Sequence, residues 1–366
     1  MGIVKHAIFL AVIFVTAYLL IGNKISSAPY GYDEADYMFA ASLGPGVNWF
    51  DSGTMPIVDY VRVGLTRGRE KNQAASLSAL ARSVDDPVLY RHERGPLYFY
   101  WLTFLSSLHL DEHAARAASL LFPALTALVL YFGSLFVLAG VEGQIAAVLS
   151  SAMFLWSPVT LKTTELAPHA MFVLFYVLTL LFLAKVVTGG GRPYFYGAVF
   201  CTGLAYSAME MAFVLVALLA IFAYWRRKEF GCDRGMALRS AGLFLATVLI
   251  IWPASLLKLS FVKIYMVMAY LAIFRKNAWG VTISETWIGR FRTSPVEWVL
   301  LLIAIGILAA RWKQRNSEPA CVFLGFALLT ILATLRLPSS GTRNTTPFWA
   351  GLVTFTAWMP QLDSDA

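Results

Sequence analysis

Ten long apolar stretches dominate the chain, at 7–22, 117–139, 144–156, 170–184, 194–206, 211–225, 241–257, 296–310, 320–335 and 347–359. An α-helix rises 1.5 Å per residue, so roughly 17–25 apolar residues cross a hydrocarbon core. These runs approach or reach that length. Peptide groups in lipid must satisfy one another, which directs such runs into helices. The expected fold is an all-α polytopic membrane protein with about ten transmembrane helices. Segment 259–274 (LSFVKIYMVMAYLAIF) leaves room for an eleventh. A hydrophobic content of 58% against 14% charged residues, with a mean hydropathy of +0.66, is far from the mix of a soluble domain.

The net charge of +8 sits between apolar runs and forms no basic patch interleaved with exposed aromatics. No nucleic-acid partner is expected; the lipid bilayer is. Short loops rich in lysine and arginine favour the cytoplasm. Lys5 therefore puts the amino terminus inside. If spans alternate, Lys185 and Arg192 come next inside, then Arg226, Arg227, Lys228, Arg234 and Arg239, and later Arg311, Lys313 and Arg315. The pattern requires that 96–110 (PLYFYWLTFLSSLHL) is not a span. Its helix would be about 22 Å long, short of a core of about 30 Å, so it is expected on the outer surface. The first run is read as an uncleaved helix, because Pro29 follows the small residues that loosely resemble a cleavage site.

A transmembrane module over 1–225, with a long outer loop at 23–113, is thus expected to precede carboxy-terminal helices over 226–366. The loop carries amphipathic content such as 72–84 (NQAASLSALARSV) and should fold as juxtamembrane surface helices. Within it, SSAPYGYDEADYMFAASLG reads as a turn and then a helix starting near Asp33. An acid there can cap free amides and meet the positive end of the helix dipole. Capping is the ordinary explanation of Asp33 and Glu34 taken alone.

Several segments in order change that reading. GYDEADYMFAAS after the first span resembles the acidic motif of the GT-C membrane glycosyltransferases, especially protein O-mannosyltransferases and aminoarabinose transferases. RHERGPLYFYW at 91–101 resembles the family's motif leading into an outer-surface helix. ARAASLLFPALTALVLYFGSLFVLAG at 115–140 is similar to its arginine-headed second span. Residues 146–185 resemble a span ending in Ser-Pro, a short outer loop with an acid, and the next span.

The resemblance implies transfer of one hexose or pentose from a polyprenyl-phosphate carrier to a hydroxyl acceptor on a lipid, glycan or protein, with inversion, at the extracytoplasmic face. The expected location is the bacterial inner membrane. A hydroxyl is a poor nucleophile, so a carboxylate must take its proton as attack proceeds. By motif position that base is Asp33, with Glu34 holding Asp33, the acceptor or a metal. Glu165, in the second outer loop, is expected to face them across a cleft. The leaving lipid phosphate needs donors placed in advance. Candidates are Arg94, Lys162, Arg336 and Arg343, all of which can instead be basic residues snorkelling at span ends. His92 and His169 are further substrate-binding candidates and, with Glu165, possible ligands of a divalent metal ion. His169 stands where many relatives carry an acid. Two other readings compete: a transporter or flippase of a small or lipid-linked substrate, and an inactive GT-C-like scaffold. A transporter tends to show repeated halves and acids near the bilayer midplane; neither is visible here.

Overall fold

The computed structural model describes residues 3–42, 44–46, 95–138, 140–156, 165–209, 212–230 and 233–253, with a few single residues beyond 298. Among the described residues the secondary structure is entirely helical. In chain order the helices are α1 (Ile3–Gly22), α2 (Tyr32–Ser42), α3 (Pro96–Ser107), α4 (Glu112–Ser119), α5 (Leu121–Val137) and α6 (Gly140–Leu155). Then come α7 (His169–Lys185), α8 (Arg192–Ala208), α9 (Ala212–Trp225), the single turn α10 (Arg227–Phe230) and α11 (Arg234–Ile251). Three stretches are long and apolar enough to cross a membrane: Glu112–Val137, His169–Gly190 and Arg234–Ile251. Val4–Thr16, Gly143–Leu155 and Ala212–Trp225 are shorter apolar helices. These are the candidates among the described residues; the segment 259–274, the loop helix 72–84 and most of the expected spans at 296–310, 320–335 and 347–359 lie outside the described residues.

Local chemistry accounts for the helix limits. Asp111 caps α4 by accepting from the Ala114 amide at 2.7 Å, and Asp233 caps α11 by accepting from Met236 at 2.6 Å. That second cap starts α11 well before the apolar run at 241. Pro253 ends it early, since the residue before a proline is pushed out of the helical region, and Trp252 has φ −141°. Pro96 opens α3 at its first turn, where its missing N–H costs nothing. Helix α7 loosens into a π-helical turn over Val186–Gly190, where Gly189 takes φ +91°.

Contacts between helix ends sort the chain into two faces. On one, Lys185 at the end of α7 donates to the Phe136 carbonyl near the end of α5 at 3.2 Å. His6 near the start of α1 hydrogen-bonds Tyr131 of α5 there too. On the opposite face lie the segment after α1, the starts of α4 and α7, and the ends of α8 and α11. Gly95 is pressed on the backbone of Ser207, and Tyr100 of α3 donates to the Ile251 carbonyl at 2.7 Å. Helix α3 also carries α2, with Thr103 donating to the Ala41 carbonyl at 2.9 Å. Residues 96–107 therefore pack against the ends of α8 and α11.

The main core joins α5 through α9, with Leu130, Tyr176, Leu180 and Leu215 buried together. Trp358 enters it from the carboxy-terminal segment, and its indole N–H donates to Ser134 of α5 at 2.8 Å. A second core builds the opposite face from Tyr37, Tyr98, Phe99, Leu102, Phe122 and Leu166. It fixes α2 and α3 against the ends of the bundle on that face.

Candidate active site

The second core surrounds a buried ion pair. Gly31 is the residue before α2; its carbonyl accepts from Ala35 at 2.8 Å and its amide donates to Glu34 Oε2 at 2.9 Å. Glu34 thus stands at the third helical position and reaches back to the cap, half of a capping box. Capping was the ordinary reading of the acidic pair, and the structure assigns it to Glu34.

The same carboxylate does more. Arg116 of α4 approaches with its fork, Nε donating to Oε1 at 2.9 Å and Nη2 to Oε2 at 2.6 Å. The amide of Leu166 donates to Oε1 at 2.9 Å. Each oxygen accepts two bonds, which fills its capacity. Arg116 is held in turn: Nη1 donates to the carbonyls of Ser26 at 2.8 Å and Ala28 at 2.7 Å, and Nη2 to that of Pro29 at 3.4 Å. The Tyr30 ring lies 5.4 Å from the guanidinium carbon, within cation–π reach. Only 5% of Glu34 and 4% of Arg116 is exposed. Burial pushes the Glu34 carboxyl up, but the Arg116 hydrogen bonds, the amides of Leu166 and Gly31 and the arginine charge outweigh it. The group is held below the usual carboxylate range.

One carboxylate therefore ties three places distant in sequence: the link from α1 into α2, the head of the long helix Glu112–Val137, and the strand of loop before α7. Asp33 shares the first turn of α2 with Glu34; its side chain lies outside the described residues. Glu165 is exposed and directly precedes Leu166, whose amide ties that loop to Glu34. His169, the first residue of α7, is buried. The phosphate candidates Arg94, Lys162, Arg336 and Arg343 and the candidate His92 lie outside the described residues.

Glu34 was grouped with the catalytic acids; its atoms are committed to Arg116 and two amides. Arg116 was not singled out. Its signal was present as the arginine heading the second span, one residue before the apolar run at 117. An arginine so placed must find a partner or reach water. Among the described residues no three His, Cys, Asp or Glu side chains come together as a metal would require. Glu34 is filled by donors and His169 is buried, and the candidate ligand His92 lies outside the described residues.

Fold and site define an all-helical integral membrane protein whose loops and helix ends build a buried charged joint on one face. The family model of dolichyl-phosphate-mannose-protein mannosyltransferases matches residues 93–252, and over that stretch the chain is similar to this family. The match covers α3 to α11, including Arg116 and Glu165, and begins after Asp33 and Glu34. No curated protein and no solved structure matches the chain. That family is one of mannosyltransferases whose named donor is dolichyl-phosphate-mannose.

Proposed function

We propose that the chain transfers a single sugar from a polyprenyl-phosphate carrier to a hydroxyl acceptor at the extracytoplasmic face, with inversion, using Asp33 as general base. The carrying observation is the Glu34 carboxylate, which joins the helix of Asp33 to Arg116 and to the loop of Glu165. A base must be held within hydrogen-bond reach of the attacking hydroxyl, and a misplacement of about 1 Å costs on the order of 100-fold. The ion pair supplies that rigidity: it fixes the first turn of α2, and so the backbone of Asp33, against the arginine-headed span. In this reading Glu34 and Arg116 are positioning residues. Asp33 takes the acceptor proton as the acceptor oxygen bonds the anomeric carbon and the lipid phosphate departs with the electron pair of the broken bond. Glu165, exposed beside the joint, orients the acceptor. Arg94, Lys162, Arg336 and Arg343 are the cations offered to the departing phosphate, and His92 and His169 are substrate-binding side chains. The face bearing the joint lies opposite the basic helix ends, which fits an outward-facing site.

The test incubates the purified chain with polyprenyl-phosphate sugars and a membrane extract, and compares the parent with Asp33→Asn. Loss of transfer in a variant with unchanged thermal stability supports the mechanism. Undiminished transfer would remove Asp33 as base, and absence of transfer by the parent from every donor would favour a transporter or scaffold.

A further inference from the structure

The face opposite the ion pair carries a second concentration of charge that the transferase reading does not use. Residues 226–239 hold five basic residues against two acidic ones. Helix α9 ends on Tyr224 and Trp225, which are 70% and 63% exposed. The Arg227 guanidinium carbon lies 4.1 Å from the Tyr224 ring centre, and that of Arg226 lies 4.6 Å from Trp225. Arg227, Lys228, Arg234 and Arg239 are exposed around the turn into α11, and Arg192 is exposed at the start of α8. Asp233, the acid within this group, is engaged by the Met236 amide in capping α11. That bond, and then the charges of Arg192 and Arg239, hold its carboxyl below the ordinary range.

We infer that this elbow between α9 and α11 is a seat for the headgroups of anionic phospholipids. The chemistry fits at three levels. Apolar α9 delivers the site to the depth where a bilayer changes from chains to headgroups, and exposed Tyr and Trp belong at that depth. The exposed Arg227 guanidinium lies over the Tyr224 ring with its face, which leaves its in-plane N–H groups to fork onto a phosphodiester. The surplus of positive charge attracts an anionic leaflet over a zwitterionic one. The site is remote from the Glu34 joint and independent of the transferase reading.

The full chain is reconstituted into nanodiscs of phosphatidylcholine with phosphatidylglycerol as the minor lipid, re-extracted in mild detergent, and the retained lipid is quantified by mass spectrometry. The expected result is enrichment of phosphatidylglycerol over its share in the nanodisc, falling as salt is raised. In R227Q/K228Q/R234Q the enrichment should drop roughly tenfold or more, while Lys24→Gln, a basic residue on the opposite face, leaves it unchanged. Should the triple variant fail to fold, the parent's own salt dependence and the milder R227Q decide the matter. Retention in proportion to the mixture, or enrichment that survives both high salt and R227Q, overturns the proposal.

Discussion

Removing Arg116 tests the joint most directly. Arg116→Met keeps an unbranched apolar stem but deletes five donated contacts, two to the Glu34 carboxylate and three to the carbonyls of Ser26, Ala28 and Pro29. Bonds to a charged partner are worth about 1.5–3 kcal/mol each, but they do not add. Breaking a buried pair from one side costs about 3–5 kcal/mol, because the remaining charge is stranded. Glu34 keeps the amides of Gly31 and Leu166, so the lower end, about 3 kcal/mol, is expected. Glu34→Gln strands the guanidinium instead and should cost a similar amount. The double variant leaves no charge uncompensated, so its loss should fall short of the sum of the single losses by more than about 1 kcal/mol. Unfolding of the full chain in one detergent, followed for parent, two singles and the double, measures this coupling. Limited proteolysis of the segment 23–31 should accelerate in both singles. Additive losses within about 0.5 kcal/mol would show that the two side chains do not act as a unit, and the positioning argument would fall.

Acidification should act through the same carboxylate. Because its folded value is held below the unfolded one, its contribution is fully present above about pH 4.3 and is lost as pH falls through the folded value. The difference in melting temperature between parent and Glu34→Gln should be flat near neutrality and shrink in acid; a difference that grows in acid would contradict the sign. Gly95→Ala puts a methyl group into the Ser207 backbone, so overpacking of about 1–3 kcal/mol is expected, read as a lower melting temperature. Ser134→Ala removes the acceptor of the buried Trp358 indole and should cost about 1–3 kcal/mol by the same measurement, whereas loss at the surface would be near zero.

Helix content and the membrane class were legible in the amino-acid order, because length and hydropathy act locally on each segment. The glycosyltransferase resemblance also rested on local strings, and the family match covers part of them. What only the tertiary structure decided is the company of Glu34. Its partners stand 82 and 132 residues away, at Arg116 and Leu166. No periodicity encodes such pairs, since they form when α3 and α2 are pressed onto the bundle by Tyr98, Phe99 and Phe122. A carboxylate beside an aspartate at a helix start reads as one of two equal acids. Burial, which removes water as a competing partner, makes Glu34 the anchor of the joint.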